Sequence, residues 1–166
     1  MRYVGNGDAQ SMKLALAVLA LALVLDVLDG SVARWRRKSS PLGADLDSLA
    51  DVVSFGVAPA AVGFALGLNT MIDGAILVYF VGCGISRLAR YNVTAAELSG
   101  PSGKVKYYEG TPIPTSLGLV AILAWAFLSG RTGEHMLGGE GRILGGSLHW
   151  LTLMYGVSGS LMASTI

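Results

Sequence analysis

The sequence predicts an all-α, polytopic transmembrane bundle of about five spanning helices, and three observations predict it. Charged residues make up only 14% of the 166 positions and hydrophobic ones 52%, where a soluble domain carries about 25% charged residues. The apolar residues fall in long runs, and one of them, 14–25, contains no polar residue at all. A soluble helix keeps one polar face to water, so that run excludes a soluble bundle. Glycine occurs 23 times, which suits helices whose backbones approach closely within lipid. Mean hydropathy is +0.58, and the length is that of one domain, expected to cover residues 1–166.

Five apolar segments follow in order, each near the roughly 17–25 residues that a spanning helix needs. The first runs from about Met12 to Ala33. It meets Asp26 and Asp29 rather than a small-residue cleavage site, so it does not read as a signal peptide. The second covers about Gly43 to Leu66 and the third about Gly74 to Tyr91. The fourth, Pro114 to Leu128, is short, and the fifth covers about Leu144 to Met162. Acids are absent from the third to the fifth segments so drawn. The glycine-rich stretch 138–146 reads as a turn outside the cytoplasm, because no Lys-Ser or Lys-Thr follows it to make a phosphate loop. Cys83 lies in an apolar run without an internal disulfide partner.

Charge supports the alternation of the segments. Arg34, Arg36, Arg37 and Lys38 follow the first segment, and Arg87, Arg90, Lys104 and Lys106 lie at or after the end of the third. Eight of the twelve Lys and Arg residues therefore share one side, which the positive-inside rule makes cytoplasmic. With a net charge of +1, no nucleic-acid partner is expected. Trp35, Trp125 and Trp150 fit interfacial anchoring. His135 and His149 have no ligand-like partner at a useful spacing and read as ordinary loop or interface residues.

Five of the eleven acids fall between Asp26 and Asp51. Asp26, Asp29, Gly30, Ala33 and Arg34 share one face of the first helix by their spacing. Gly43, Asp47 and Asp51 are four apart and line one face of the second, with Ser54 extending the stripe. Asp45 lies off it and reads as a solvated residue. Acids at membrane depth are costly and mark functional sites. Like charges brought together need cations to offset them. Hard divalent ions with oxygen ligands, Mg²⁺ or Mn²⁺, meet that need, and two of them would clamp a phosphate. Arg34 adds a planar fork suited to phosphate.

The full spacing is Asp26-x2-Asp29-Gly30-x2-Ala33-Arg34-x8-Gly43-x3-Asp47-x3-Asp51. At every position it resembles the signature of the CDP-alcohol phosphatidyltransferase family. The stretches 46–60, 83–92 and 106–115 are similar to the phosphatidylserine synthase branch of that family, in its fungal-type form. The resemblance covers roughly residues 20–120. It implies transfer of a phosphatidyl group from CDP-diacylglycerol to L-serine, with CMP leaving. It also implies that Asp26, Asp29, Asp47 and Asp51 bind the metals and that Asp51 is the base. Asp26, Gly30, Ala33, Arg34 and Gly43 would then hold the CDP-lipid. Homodimers are common in the family. The family usually has six spanning helices, so the resemblance implies an N-terminally truncated chain in which residues 1–11 are the loop after a missing first helix. The expected location is an integral membrane with the site on its cytoplasmic side. That membrane is the endoplasmic reticulum in a eukaryote and the plasma membrane otherwise.

Several roles stay open at this level. Arg87 and Arg90 are either interfacial charges or ligands of a lipid phosphate or the serine carboxylate. Ser54 is either a packing residue or a contact for the acceptor. Lys104 and Lys106 read as loop charges. Rival functions are the same chemistry with inositol or glycerol phosphate as acceptor, a cation or proton transporter built on the acidic cluster, and a catalytically dead partner subunit. The strict Gly and Ala spacing and the lack of acids in the later segments count against the transporter.

Overall fold

The computed structural model describes residues 6–36, 41–98, 116–131, 140–143 and 146–164. They form α1 (Asn6–Arg36), α2 (Pro41–Asp51), a π-helical segment (Val52–Val57), α3 (Ala58–Leu66), α4 (Met71–Leu98) and α5 (Ser116–Leu128). A hairpin of β1 (Glu140–Ile143) and β2 (Gly146–His149) then leads into α6 (Trp150–Ala163). Three stretches are long and apolar enough to cross a membrane: Ala9–Asp26, Asp45–Leu66 and Met71–Val93. Their outward faces are apolar, as with Leu14, Leu21 and Leu28 on α1 and Val78 on α4. This is a helical membrane protein.

The first three expected segments correspond to α1, to α2 through α3, and to α4, each extended by a few residues. The fifth is corrected. Leu148 and His149 belong to an antiparallel hairpin in the register Glu140↔His149, Gly141↔Leu148, Arg142↔Ser147 and Ile143↔Gly146. Only 14 residues of α6 follow. The run of Leu, Trp and Met after Gly146 is continuous in hydropathy, so it hides the change from strand to helix. Gly145, which falls between the paired Ile143 and Gly146, was the available turn signal. α5 has 13 residues, and Pro114 of the expected fourth segment lies outside the described residues. Both short helices extend about 20 Å at 1.5 Å per residue, against roughly 30 Å of hydrocarbon.

A π segment inside the second span has a local cause. Pro59 lacks an N–H, and its ring crowds the carbonyl four residues back. The chain answers with a wider turn, in which the Ala58 N–H donates to Val53 O, five residues back. Such bulges are frequent at functional sites. A wider turn has more residues per turn than the 3.6 on which the Asp47–Asp51–Ser54 stripe was drawn. Phe55 is buried.

The core joins α3, α4, α5 and α6 through Leu66, Phe80, Leu123 and Tyr155. Phe80 and Tyr155 meet edge to face at 5.1 Å, and the Tyr155 hydroxyl donates to Pro59 O at 2.8 Å. Gly63 leaves room for that hydroxyl, since a Cβ there would sit 3.0 Å from it. α4 and α6 approach closely at Gly159, where a Cβ would lie 3.2 Å from the Phe80 Cα. α1 rests on this core through Met12 and Leu16.

α4 and α6 run parallel and are tied at both ends. At one end Asp73 of α4 is fully buried and accepts four hydrogen bonds. They come from His149 Nδ1 at 2.6 Å, Thr152 Oγ1 at 2.7 Å, His149 N at 3.2 Å and Thr70 N at 3.3 Å. Thr70 Oγ1 accepts from Asp73 N in return, closing a reciprocal cap on α4. Two expectations are thereby corrected. His149 is a buried partner of an acid, 76 positions away in sequence, where the sequence offered only local spacing. The third segment does contain an acid, because α4 begins at Met71 and takes in Asp73. At the other end Arg90 Nη2 donates to Ala163 O at 2.8 Å and Met162 O at 3.4 Å, satisfying the last carbonyls of α6.

Candidate active site

The acidic stripe lies where α1, α2 and α4 converge, at the end of the bundle opposite the hairpin. Asp51 is half-buried at the junction of α2 with the π segment. Its charged neighbours are Asp26, Asp47 and Arg87, and the Asp26 carboxyl is within hydrogen-bonding reach of it. The structure thus brings together three of the four expected acids, from two helices that the sequence separates by more than twenty positions. Asp51 is the shared neighbour of the two other carboxylates and of the guanidinium. Two carboxylates this close repel each other unless a proton or a cation lies between them.

Asp29, Gly30, Ala33 and Arg34 lie on α1, and their side-chain surroundings fall outside the described residues. Gly43 lies on exposed backbone of α2. Asp45 is exposed, as expected for a residue off the stripe. Lys104 and Lys106 lie outside the described residues.

Two contacts hold α2 against α4, and sequence reasoning did not single out either. Asn92 Nδ2 donates to Ser48 Oγ at 3.0 Å, and the Ser48 hydroxyl lies 3.4 Å from Asn92 Oδ1. Ser48 sits between Asp47 and Asp51 in the chain, so this pair fixes the rotation of the acidic face. Seven residues after Ser48, on the π segment that continues α2, Phe55 is buried against Leu88, with Val52 and Leu117 packed on them. The sequence signal was that all four residues fall in the stretches 46–60 and 83–92; the spacing gives no hint that Asn92 pairs with Ser48.

The two arginines separate. Arg90 reaches the carboxyl end of α6, as described above. Arg87 lies within electrostatic range of Tyr91 and Asp51, and its Nε is buried with no hydrogen-bond partner. Ser54 is half-buried within the π segment.

The fit of a divalent cation rests on the donor set. Hard oxygen ligands and an excess of negative charge suit Mg²⁺ or Mn²⁺. Among the described residues no three His, Cys, Asp or Glu side chains are grouped closely enough to hold one ion. Asp29, the remaining expected ligand, is not among those side chains.

Comparison with known proteins bears on this geometry. A sequence profile of the CDP-alcohol phosphatidyltransferase family matches residues 2–158. The chain is 44% identical over 169 residues to the CDP-diacylglycerol–serine O-phosphatidyltransferase of Saccharomyces cerevisiae, covering 99% of this chain and 60% of that protein. It is 42% identical over 115 residues to the protein of the same name in Mycobacterium leprae, covering 68% of this chain and 38% of that one. The Helicobacter pylori J99 protein of that name is 39% identical over 132 residues, with 75% and 54% covered. The chain therefore spans about 60% or less of the length of these relatives. No solved structure matches it. With the profile matching nearly its whole length and the acidic stripe assembled at one end of the bundle, the chain belongs to the CDP-alcohol phosphatidyltransferase family.

Proposed function

We propose that this chain transfers the phosphatidyl group of CDP-diacylglycerol to L-serine, giving phosphatidylserine and CMP. The observation that carries the reading is the convergence of Asp26, Asp47 and Asp51 beside Arg87. The three relatives above share a name that states this reaction.

The serine hydroxyl attacks the phosphorus that carries the diacylglycerol, the bond from that phosphorus to the CMP oxygen breaks, and CMP leaves. Asp51 takes the hydroxyl proton, because an alcohol is a poor nucleophile until a nearby carboxylate accepts it. Its place at the α2–π junction, braced by Ser48–Asn92 on one side and Phe55–Leu88 on the other, holds the carboxylate at a set angle to Arg87. Asp26, Asp29, Asp47 and Asp51 would hold one or two Mg²⁺ or Mn²⁺ ions, which when bound offset the charge of the diphosphate. Gly30, Ala33, Arg34 and Gly43 would receive the CDP-lipid. Arg87 is the better placed of the two arginines for an anionic group, since Arg90 already donates to α6. Ser54, half-buried within the π segment, is assigned to its packing.

The apolar outer surface keeps the acyl chains in lipid. The site faces the cytoplasm under the positive-inside rule, in the endoplasmic reticulum of a eukaryote or the plasma membrane of a prokaryote. The single domain acts as a homodimer, as is common in the family.

CMP release from CDP-diacylglycerol, measured with serine, inositol and glycerol phosphate in turn, tests the reading. Release that requires both serine and a divalent ion supports it. Preference for another acceptor replaces the substrate and keeps the chemistry, while cation flux in liposomes without CMP release would favour a transporter.

A further inference from the structure

α4 and α6 keep one register along their contact. Thr152 donates to Asp73, an offset of 79 positions, and the same offset relates Gly159 to Phe80, whose Cα a Cβ at Gly159 would meet at 3.2 Å. Ala163, the last residue of α6, is therefore level with Gly84. The apolar span of α4 runs on to Val93, about 13 Å further at 1.5 Å per residue. Neither end of α6 continues as helix, since His149 (φ −83°, ψ 128°) and Ser164 (φ −65°, ψ 149°) are extended. At one end the hairpin closes on Trp150, where a Cβ on Gly141 would lie 3.2 Å from the indole. At the other, Arg90 turns back to donate to the Ala163 and Met162 carbonyls. Helix-end carbonyls and a guanidinium thus sit at a level where α4 is still within its apolar span. Between these ends the outward face of α6 is apolar, with Trp150, Val157 and Leu161 exposed.

We propose that the outer face of α6 seats a locally thinned bilayer, in which phospholipid headgroups of the leaflet nearer the acids descend to the level of Ala163. The apolar band on α6 is about 20 Å tall, against roughly 30 Å of hydrocarbon. A helix shorter than the hydrocarbon is accommodated by thinning of the bilayer around it. Sliding cannot relieve the mismatch, because α6 is locked to α4 at both ends. The shortfall falls on one leaflet, since both helices begin at the level of Asp73 and Thr152. The opposite face of α4 keeps the full thickness. Ile85 is exposed there, two positions and so about 200° round the helix from Cys83, which a Cβ on Gly159 would approach to 3.5 Å.

Depth-dependent quenching in the reconstituted chain tests this without requiring turnover. Bimane is attached to Leu161→Cys on α6 or to Ile85→Cys on α4, with Cys83 replaced by serine, in dioleoylphosphatidylcholine vesicles. Should Cys83→Ser unfold the chain, the buried native cysteine is kept and the chain without an added cysteine serves as the blank. The quencher is a nitroxide carried either on the lipid headgroup or deep in the acyl chain. In a bilayer of even thickness ending near Val93, Leu161 is about 16 Å deep and Ile85 about 12 Å. With the bilayer thinned to Ala163, Leu161 is only about 3 Å deep, so the order of the two labels reverses. The expected result is that the headgroup nitroxide quenches more strongly at Leu161 and the deep nitroxide more strongly at Ile85. Stronger quenching of Leu161 by the deep nitroxide overturns the proposal. Water reaching Ala163 through the site, with the headgroups staying near Val93, gives that same overturning result.

Discussion

Replacing Asp73 by alanine tests the architecture most directly, because every contact of that side chain is known. The substitution leaves three buried donors, the His149 N–H, the His149 ring Nδ1–H and the Thr152 hydroxyl, and the half-buried Thr70 N–H without their acceptor. Each would cost about 1–3 kcal/mol if nothing replaced the acceptor. Relaxation at the helix ends reduces the sum, and removing one partner of a buried pair costs about 3–5 kcal/mol. At roughly 2–4 °C per kcal/mol for a chain of 150–250 residues, the unfolding midpoint falls by about 6–20 °C. The assay is thermal unfolding in detergent followed by far-ultraviolet circular dichroism. Asp73→Asn keeps an acceptor for His149 N and Thr152 and loses less, so the order wild type, Asn, Ala is part of the expectation. CMP release per folded molecule at low temperature falls less than in Arg90→Ala, because the Asp73 tie is the one farther from the acids. A midpoint within about 2 °C of wild type for the alanine variant, under 1 kcal/mol on the same scale, would refute this reasoning.

Asp51→Asn leaves CDP-diacylglycerol binding within about threefold and lowers CMP release by about 10²–10⁴-fold, the usual contribution of a general base; equal losses in both would argue against the base assignment. Chelation by EDTA abolishes CMP release, and Mg²⁺ or Mn²⁺ restores it, as measured on one preparation before and after dialysis. Asn92→Ala and Ser48→Ala each lower kcat more than they raise the KM for CDP-diacylglycerol. In a double-mutant cycle they couple by about 0.5–1.5 kcal/mol, whereas additive effects would deny that the pair orients α2. Gly159→Leu drives a side chain into the Phe80 backbone, which a Cβ alone would approach to 3.2 Å. It destabilises by about 1–3 kcal/mol, read as a lower unfolding midpoint.

What was legible in the sequence followed from local periodicity. Asp26, Asp47 and Asp51 could be placed on two stripes because helical spacing alone decides which residues share a face, and the structure brings those stripes together. The first three spans were legible because each is a long run with caps or charges at its ends. The hairpin was not, since Leu148 and Trp150 continue the same hydropathy that α6 carries. His149 was read as a loop or interface residue, and Asp73 falls one position before the third segment as drawn from the sequence. Their pairing crosses 76 positions, and no short-range pattern encodes it. The π segment was hidden for a different reason. A sequence stripe assumes 3.6 residues per turn, and Pro59 breaks that assumption only through its effect on residues before it. Ser54 was therefore drawn on the acidic face, where an unbroken α-helix would have put it.

The two ties between α4 and α6 explain how a short sixth helix contributes to a site it does not line. Asp73 binds the start of α6 and Arg90 binds its last carbonyls, so the two parallel helices are fixed in register at both ends and pressed together at Gly159. The turns of α4 that carry Arg87 and Asn92 are thereby held against a rigid neighbour. α2 is fastened to those same turns by Ser48–Asn92, and the π segment that continues it by Phe55–Leu88, and Asp51 lies between the two fastenings. The position of the proposed base relative to Arg87 is thus set by α4, which is in turn set by α6. Arg90 follows as a positioning residue: its loss should loosen the Asp51–Arg87 relation without removing any group that touches substrate. Arg90→Gln, which keeps a donor for the Ala163 carbonyl, should retain more of kcat than Arg90→Ala, with similar KM values for CDP-diacylglycerol in both. A rise in that KM as large as the fall in kcat would instead place Arg90 on the lipid phosphate.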